Sequence, residues 1–290
     1  MNATSIEATI PQMARPKILN GDISRQFYRA RRLPKLIGTV GVARTAKAIY
    51  NGMVGNNNSS PMVMRRDNEL HFPLHLTDTF SDVWSYAEVH NGRTYDLPKA
   101  LDPKINGKPI VDIGAYIGIS ATYFASRYSN SEVLAFEPHP RNYQLLALNA
   151  KPYGGRIQPV HAAVAAENTP IGMIAHGALQ SDYMVNAFVP ESISAPSYGL
   201  SIASRTPSDI LAMLGGVDEI GMLKVDIEGA EYPLFQSPAI DPLLQRTGIL
   251  LVESHEKFVP GSEDVVHEAA IRNGMHLFPF NSHTAMYARS

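Results

Sequence analysis

Four short apolar runs recur from residue 111 onward: VDIG (111–114), LAFEP (134–138), LKVDIE (223–228) and ILLVESH (249–255). Each carries an acid or a glycine at its end, and amphipathic stretches separate them. GISATYFASRYS puts Ile119, Tyr123 and Phe124 on one side, and PRNYQLLALNA opens on a helix-starting proline. TPSDILAML and GAEYPLFQS follow the same rule, and EDVVHEAAIRNG is closed by glycine. RIQPVHAAVA reads as a third strand, and MHLFPF with TAMYARS as a terminal hairpin. Strands that are apolar throughout are covered on both faces. Strands alternating with helices over this many repeats predict a parallel, doubly wound α/β sheet.

The 290 residues are 44% hydrophobic and 18% charged, enough to bury a real core. There is no cysteine, which excludes disulfides, thiolate metal sites and cysteine nucleophiles and fits a cytoplasmic protein. The N-terminus lacks a secretory apolar core, and no run of about 18 apolar residues offers a membrane span. Charge is uneven. Residues 1–60 hold nine basic residues against Glu7 and Asp22, a balance of +7 that leaves −9 for the rest. We therefore divide the chain into a basic arm, 1–60, and a main domain, 61–290, whose motifs run over 108–290. The arm reads as a solvated helical extension packing on the main domain or on a second copy, a route to a homo-oligomer. Its sharper reading is contact with an anionic surface or acidic polymer. The net charge of −2 and the lack of interleaved aromatics argue against nucleic acid.

In such sheets a ligand binds beyond the carboxyl ends of the strands, where the strand order reverses. The acids read there are Asp112, Glu137, Asp226 and Glu253, with His255 beyond the last. A dinucleotide loop would need glycine at its second fingerprint position, but Tyr116 stands between Gly114 and Gly118. That argues against a nicotinamide or flavin cofactor. A tight turn at Gly114, a carboxylate at Glu137 for a ribose diol, and the negative charge of Asp112 suit a nucleoside bearing a cationic amino acid. S-adenosylmethionine has that description.

VDIGAYIG, AFEPHPRNYQLLALNA, LKVDIEGAEYPLF and LLVESH together resemble the FkbM-type methyltransferase family, in order and in spacing, over roughly residues 85–290. The resemblance implies the class I (Rossmann-like) methyltransferase fold, a seven-stranded, mostly parallel sheet with an antiparallel last strand. It implies methyl transfer from S-adenosylmethionine to a hydroxyl of a sugar, glycan or natural-product acceptor. It assigns Asp112, Gly114, Ala115, Tyr116 and Gly118 to the cofactor loop, Glu137 to the ribose and Pro138 to the adenine edge. Asn142 completes an E-P-x-P-x-N pattern and either touches the cofactor or bonds its own loop. Tyr116 departs from the small or polar residue usual there and is expected over the methionine portion or in the acceptor pocket.

A hydroxyl is a poor nucleophile, so a base is expected at the same edge. The catalytic candidates are Asp226, Glu228 and His255, with His139 and His161 behind them. Lys224 would share the face of Asp226. Glu231 reads as helix-start charge. A divalent metal on Asp226, Glu228 and Glu253 is the minor reading, since hard oxygen ligands are present but no spaced histidine motif is. Residues 166–204 are expected to form an acceptor-side insert. Trp84, Tyr86, Glu88 and Tyr95 are candidates for the opposite wall. Two other readings stand beside the enzyme: a non-catalytic cofactor-binding scaffold of the same fold, and the disfavoured oxidoreductase.

Overall fold

The computed structural model describes residue 37 and residues 41–54, 61–64, 70–77, 79–175, 183–185, 201–281 and 283–289. Seven strands form the central sheet: β1 (Ile110–Ile113), β2 (Val133–Phe136), β3 (Ile157–Val160), β4 (Ile220–Val225), β5 (Thr247–Val252), β6 (His276–Phe278) and β7 (Ala285–Ala288). Their spatial order is β6-β7-β5-β4-β1-β2-β3. β1 to β5 run parallel. β7 is antiparallel to both β5 and β6, so the terminal hairpin closes one edge of the sheet. This is the seven-stranded, mostly parallel sheet anticipated above. The order reverses between β1 and β4, which puts the ligand edge at their carboxyl ends.

Alternate residues of each strand feed two cores, one on each face. Ile110, Met222, Ile249 and Leu251 enter one, while Val111, Ile113, Leu223, Val225, Leu250 and Val252 enter the other. The regular alternation is broken by one polar pair, Asp112 and Lys224, which face each other across the β1–β4 register. The expected third strand is shorter than read. It ends at Val160, and Ala163–Val164 leaves the main sheet to pair with Ser204–Arg205.

The longer helices of the described fold are α1 (Val42–Val54), α2 (Phe80–Tyr86), α3 (Ile119–Arg127), α4 (Pro140–Ala150), α5 (Pro207–Met213), α6 (Glu231–Gln236), α7 (Asp241–Arg246) and α8 (Ser262–Arg272). Residues 119–126 of α3 are all buried. Thr206 opens α5 with a reciprocal capping box to Asp209. α1, within the basic arm, packs against α2. Tyr86 and Tyr95, proposed above as cleft contacts, join Phe124 and Tyr123 in the buried core. The expected insert lies largely outside the described residues. Within it, Ile171–Ala175 pairs antiparallel with Tyr183–Val185 and with Ser201–Ile202. No helix among the described residues is long and apolar enough to cross a membrane.

Candidate functional site

The loop leaving β1 makes its turn with positive φ at Gly114 and at Gly118, +81° and +87°. Gly114 has no room for a side chain, because a Cβ there would lie 1.7 Å from the carbonyl oxygen of Asp226. Its N–H and that of Ala115 donate to the Phe136 carbonyl, which ties the loop to the end of β2. Tyr116 takes φ +52°, one of three non-glycine residues with positive φ among those described. That conformation is uncommon for a bulky side chain, and here several partners hold it. The Tyr116 N–H donates to Glu137 Oε2 at 2.9 Å and its hydroxyl donates to Asp82 Oδ1 at 2.5 Å.

Asp82 is fully buried at the start of α2. Arg141 forks onto both of its oxygens at 3.1 and 2.9 Å and also reaches the Thr77 hydroxyl. The sequence reading missed this clamp. Asp82 and Arg141 are 59 positions apart and belong to no spaced motif. The clamp turns the Tyr116 ring toward the segment before the sheet, where burial and then Asp82 push its hydroxyl pKa well up.

Glu137 is buried at the tip of β2. Its Oε1 accepts from the His139 N–H at 2.8 Å and from Asn142 Nδ2 at 3.4 Å, and its Oε2 accepts from Tyr116. A carboxylate offers about four acceptor positions, so one remains for a ligand hydroxyl. Burial outweighs these hydrogen bonds and pushes its pKa up to about 8. Asn142 is buried and bonded to Glu137 and Arg141. Pro138 is half-buried beside them, and its carbonyl lies 3.0 Å from His161 Nε2. His161 stacks on Tyr143, and His139 starts α4, so neither histidine joins the acids at the ends of β4 and β5.

Asp112 requires a correction. It is not at a strand tip facing a ligand; it is the third residue of β1 and has no exposed surface. Ser120 Oγ donates to its Oδ2 at 2.6 Å and Lys224 Nζ lies 3.2 Å from its Oδ1. The register that pairs Asp112 with Lys224 turns both side chains into the same core face. Lys224 Nζ also donates to the Gly114 carbonyl at 2.7 Å and lies 3.6 Å from Asp226 Oδ2. Burial opposes its charge, but Asp112 prevails and raises its pKa. The buried lysine therefore links the loop after β1 to the acid after β4.

The ends of β4 and β5 bring the catalytic candidates together. His255 Nε2 lies 3.2 Å from Glu228 Oε2 and 3.9 Å from Asp226 Oδ1. Its Nδ1 lies 3.0 Å from Oε1 of Glu231, which has no exposed surface. Glu231 also accepts the Ile227 and Gly229 N–H groups at 2.8 and 2.9 Å. It starts α6 as expected, but it also anchors the turn and orients the histidine, which no periodicity could show. Glu228 sits in that turn at φ +54°.

Burial raises the pKa of Glu228. Burial and then Asp226 raise that of Glu253 well above its usual range. Burial opposes charge on His255, but Glu228 and Glu231 prevail and raise it well above its usual value. Tyr95 is buried within the field of Lys224, Asp226 and Glu253, and burial is the largest cause of its raised pKa. The donor set of two carboxylates and an imidazole fits a divalent ion, with His255 rather than Glu253 as the third member.

The family model described as Methyltransferase FkbM domain matches residues 112–274. A protein called Methyltransferase 1 from Beauveria bassiana is 23% identical over 187 residues, which cover 56% of this chain and 74% of that one. Among solved structures, Aeropyrum pernix fibrillarin with natively bound S-adenosyl-L-methionine has a TM-score of 0.37 at 12% identity, covering 64% of this chain and 67% of that one. A precorrin-6y C5,15-methyltransferase from Geobacter metallireducens has the same TM-score and identity over 66% and 86%. Scores this low carry nothing about activity.

Proposed function

The chain belongs to the FkbM methyltransferase family, and from that premise we propose that it transfers a methyl group from S-adenosylmethionine to a hydroxyl of a small-molecule, glycan or natural-product acceptor. The observation that carries this reading is the meeting, at the point where the strand order reverses, of a glycine turn with an acid–histidine cluster. S-adenosylmethionine, when bound, supplies a methyl on a sulfonium that leaves as a neutral thioether. Glu137 has the open acceptor position for a ribose hydroxyl, Pro138 flanks the adenine, and the loop from Gly114 to Gly118 lines the methionine portion. Asp112, through Lys224 and Ser120, holds that loop from beneath.

The acceptor oxygen forms the new bond to the methyl carbon as the carbon–sulfur bond breaks, and its proton goes to the Asp226 carboxylate, with Glu228 and His255 beside it. Holding oxygen, carbon and sulfur in line can contribute roughly 7–11 kcal/mol. A positioned base adds roughly 10²–10⁴ in rate. Asp226 has its backbone carbonyl packed on Gly114, at the start of that loop.

Titration calorimetry tests the cofactor: saturable binding of S-adenosylmethionine is expected, and tight NADH binding without it would sink the reading. Feeding methyl-labelled cofactor with extracts of the producing organism tests the acceptor. The label is expected in a hydroxyl-bearing small molecule or glycan. Cofactor binding without any labelled product would favour a non-catalytic scaffold.

A further inference from the structure

We infer that the chain holds a divalent transition-metal ion on Asp226, Glu228 and His255, with Glu231 aiming the imidazole from behind. One ligand atom from each of the three residues lies within 4.8 Å of the others. Two bonds of about 2.1 Å to one ion place ligand atoms roughly 3.0–3.5 Å apart, and the Nε2 distances of 3.2 and 3.9 Å are close to that span. A nitrogen beside two carboxylate oxygens suits manganese, iron or zinc better than the all-oxygen shells of calcium and magnesium.

Glu231 stands outside the donor set. Its oxygens are taken by the Ile227 and Gly229 N–H groups and by His255 Nδ1, so it has the role of an outer carboxylate that fixes the tautomer and ring plane. The proton on Nδ1 leaves Nε2 as the atom presented to Asp226 and Glu228. The same imidazole acting alone as a base would face a carboxylate 3.2 Å away that holds its proton in place.

The ion's use rests on the methyl-transfer reading: with these side chains as its ligands it would act as a Lewis acid at the acceptor oxygen, in place of their action as a base. Its existence does not. The test uses the full chain, stripped with a chelator and titrated with Mn²⁺ under electron paramagnetic resonance. S-adenosylmethionine binding to the same samples is followed by calorimetry. One saturable Mn²⁺ per chain is expected. His255→Ala and Asp226→Asn should each weaken binding at least 100-fold. Glu231→Gln should weaken it about 10–100-fold, the range for an outer-shell partner, and Glu253→Gln should change it less than about threefold. Retained melting temperature and cofactor binding show that each variant is folded, and Glu228→Gln replaces any that is not. No saturable Mn²⁺ site, or binding indifferent to these substitutions, overturns the inference. Cofactor binding without Mn²⁺ binding removes the ion alone; Mn²⁺ binding without cofactor binding removes the methyl-transfer reading alone.

Discussion

The two halves of the ligand edge follow opposite electrostatic plans. At the tips of β1 and β2 the polar groups are matched within the chain: Tyr116 with Asp82, Asp82 with Arg141, and Glu137 with two backbone N–H groups and Asn142. At the tips of β4 and β5, Asp226, Glu228 and Glu231 gather round His255; burial raises the pKa of Glu228 and Glu253, while Glu228 and Glu231 raise that of His255 against its burial. The first arrangement holds a shape. The second holds protons and negative charge close to where they can be used, as reactive groups require.

The largest test of that contrast is Gly114→Ala, which strikes the seam between the halves. Positive φ and a Cβ 1.7 Å from the Asp226 carbonyl oxygen should cost about 4 kcal/mol or more and abolish cofactor binding. Denaturant melts and calorimetry measure both, and a folded variant with native affinity would show the seam to be less tight than described. Next, Asp226→Ala should lower turnover roughly 10²–10⁴-fold while leaving cofactor affinity within a few-fold. Loss of affinity with turnover preserved would reverse the roles of the two halves.

Arg141→Met should follow, because it leaves Asp82 buried without its cation. About 2–3 kcal/mol of stability is expected to go, less than for a fully buried pair because the Arg141 side chain is 24% exposed. Denaturant midpoints give the answer, and an unchanged midpoint would mean that the clamp holds nothing.

The smallest effect is a pH dependence. Glu137 is neutral below about pH 8 in the folded chain, and a ribose diol donates best to the ionised form. Cofactor affinity should therefore fall as pH drops below 8, by at most about tenfold per unit, and Glu137→Gln should flatten the curve. The stability sign is the opposite. A carboxyl raised on folding contributes most at acid pH and loses its contribution as pH climbs from its ordinary range toward 8.

Much of this architecture was legible in the chain. Apolar runs and helical periodicity located the five parallel strands and the helices between them, because both report local burial. Pro140 and Gly274 marked helix ends because their backbone chemistry is local. The convergence of Asp226, Glu228 and His255 followed from the rule that strand tips meet at the ligand edge. Asp112 was misplaced because its direction depends on parity within β1 and on register with Lys224, which strand recognition alone does not supply. Glu231 was undervalued for a related reason: its histidine comes from the next strand.

By itself, then, the sequence determined the order of elements, the tight turn at Gly114 and the gathering of acids at one edge, since these rest on side-chain size, backbone freedom and periodicity. Tertiary structure alone decided which charges meet. Asp82 with Arg141, Lys224 with the Gly114 carbonyl, and Glu231 with His255 are separated by 59, 110 and 24 residues. Such pairs are chosen by cross-strand register and by the packing of whole elements, which determine which buried charge has a partner and which is left to bind or react.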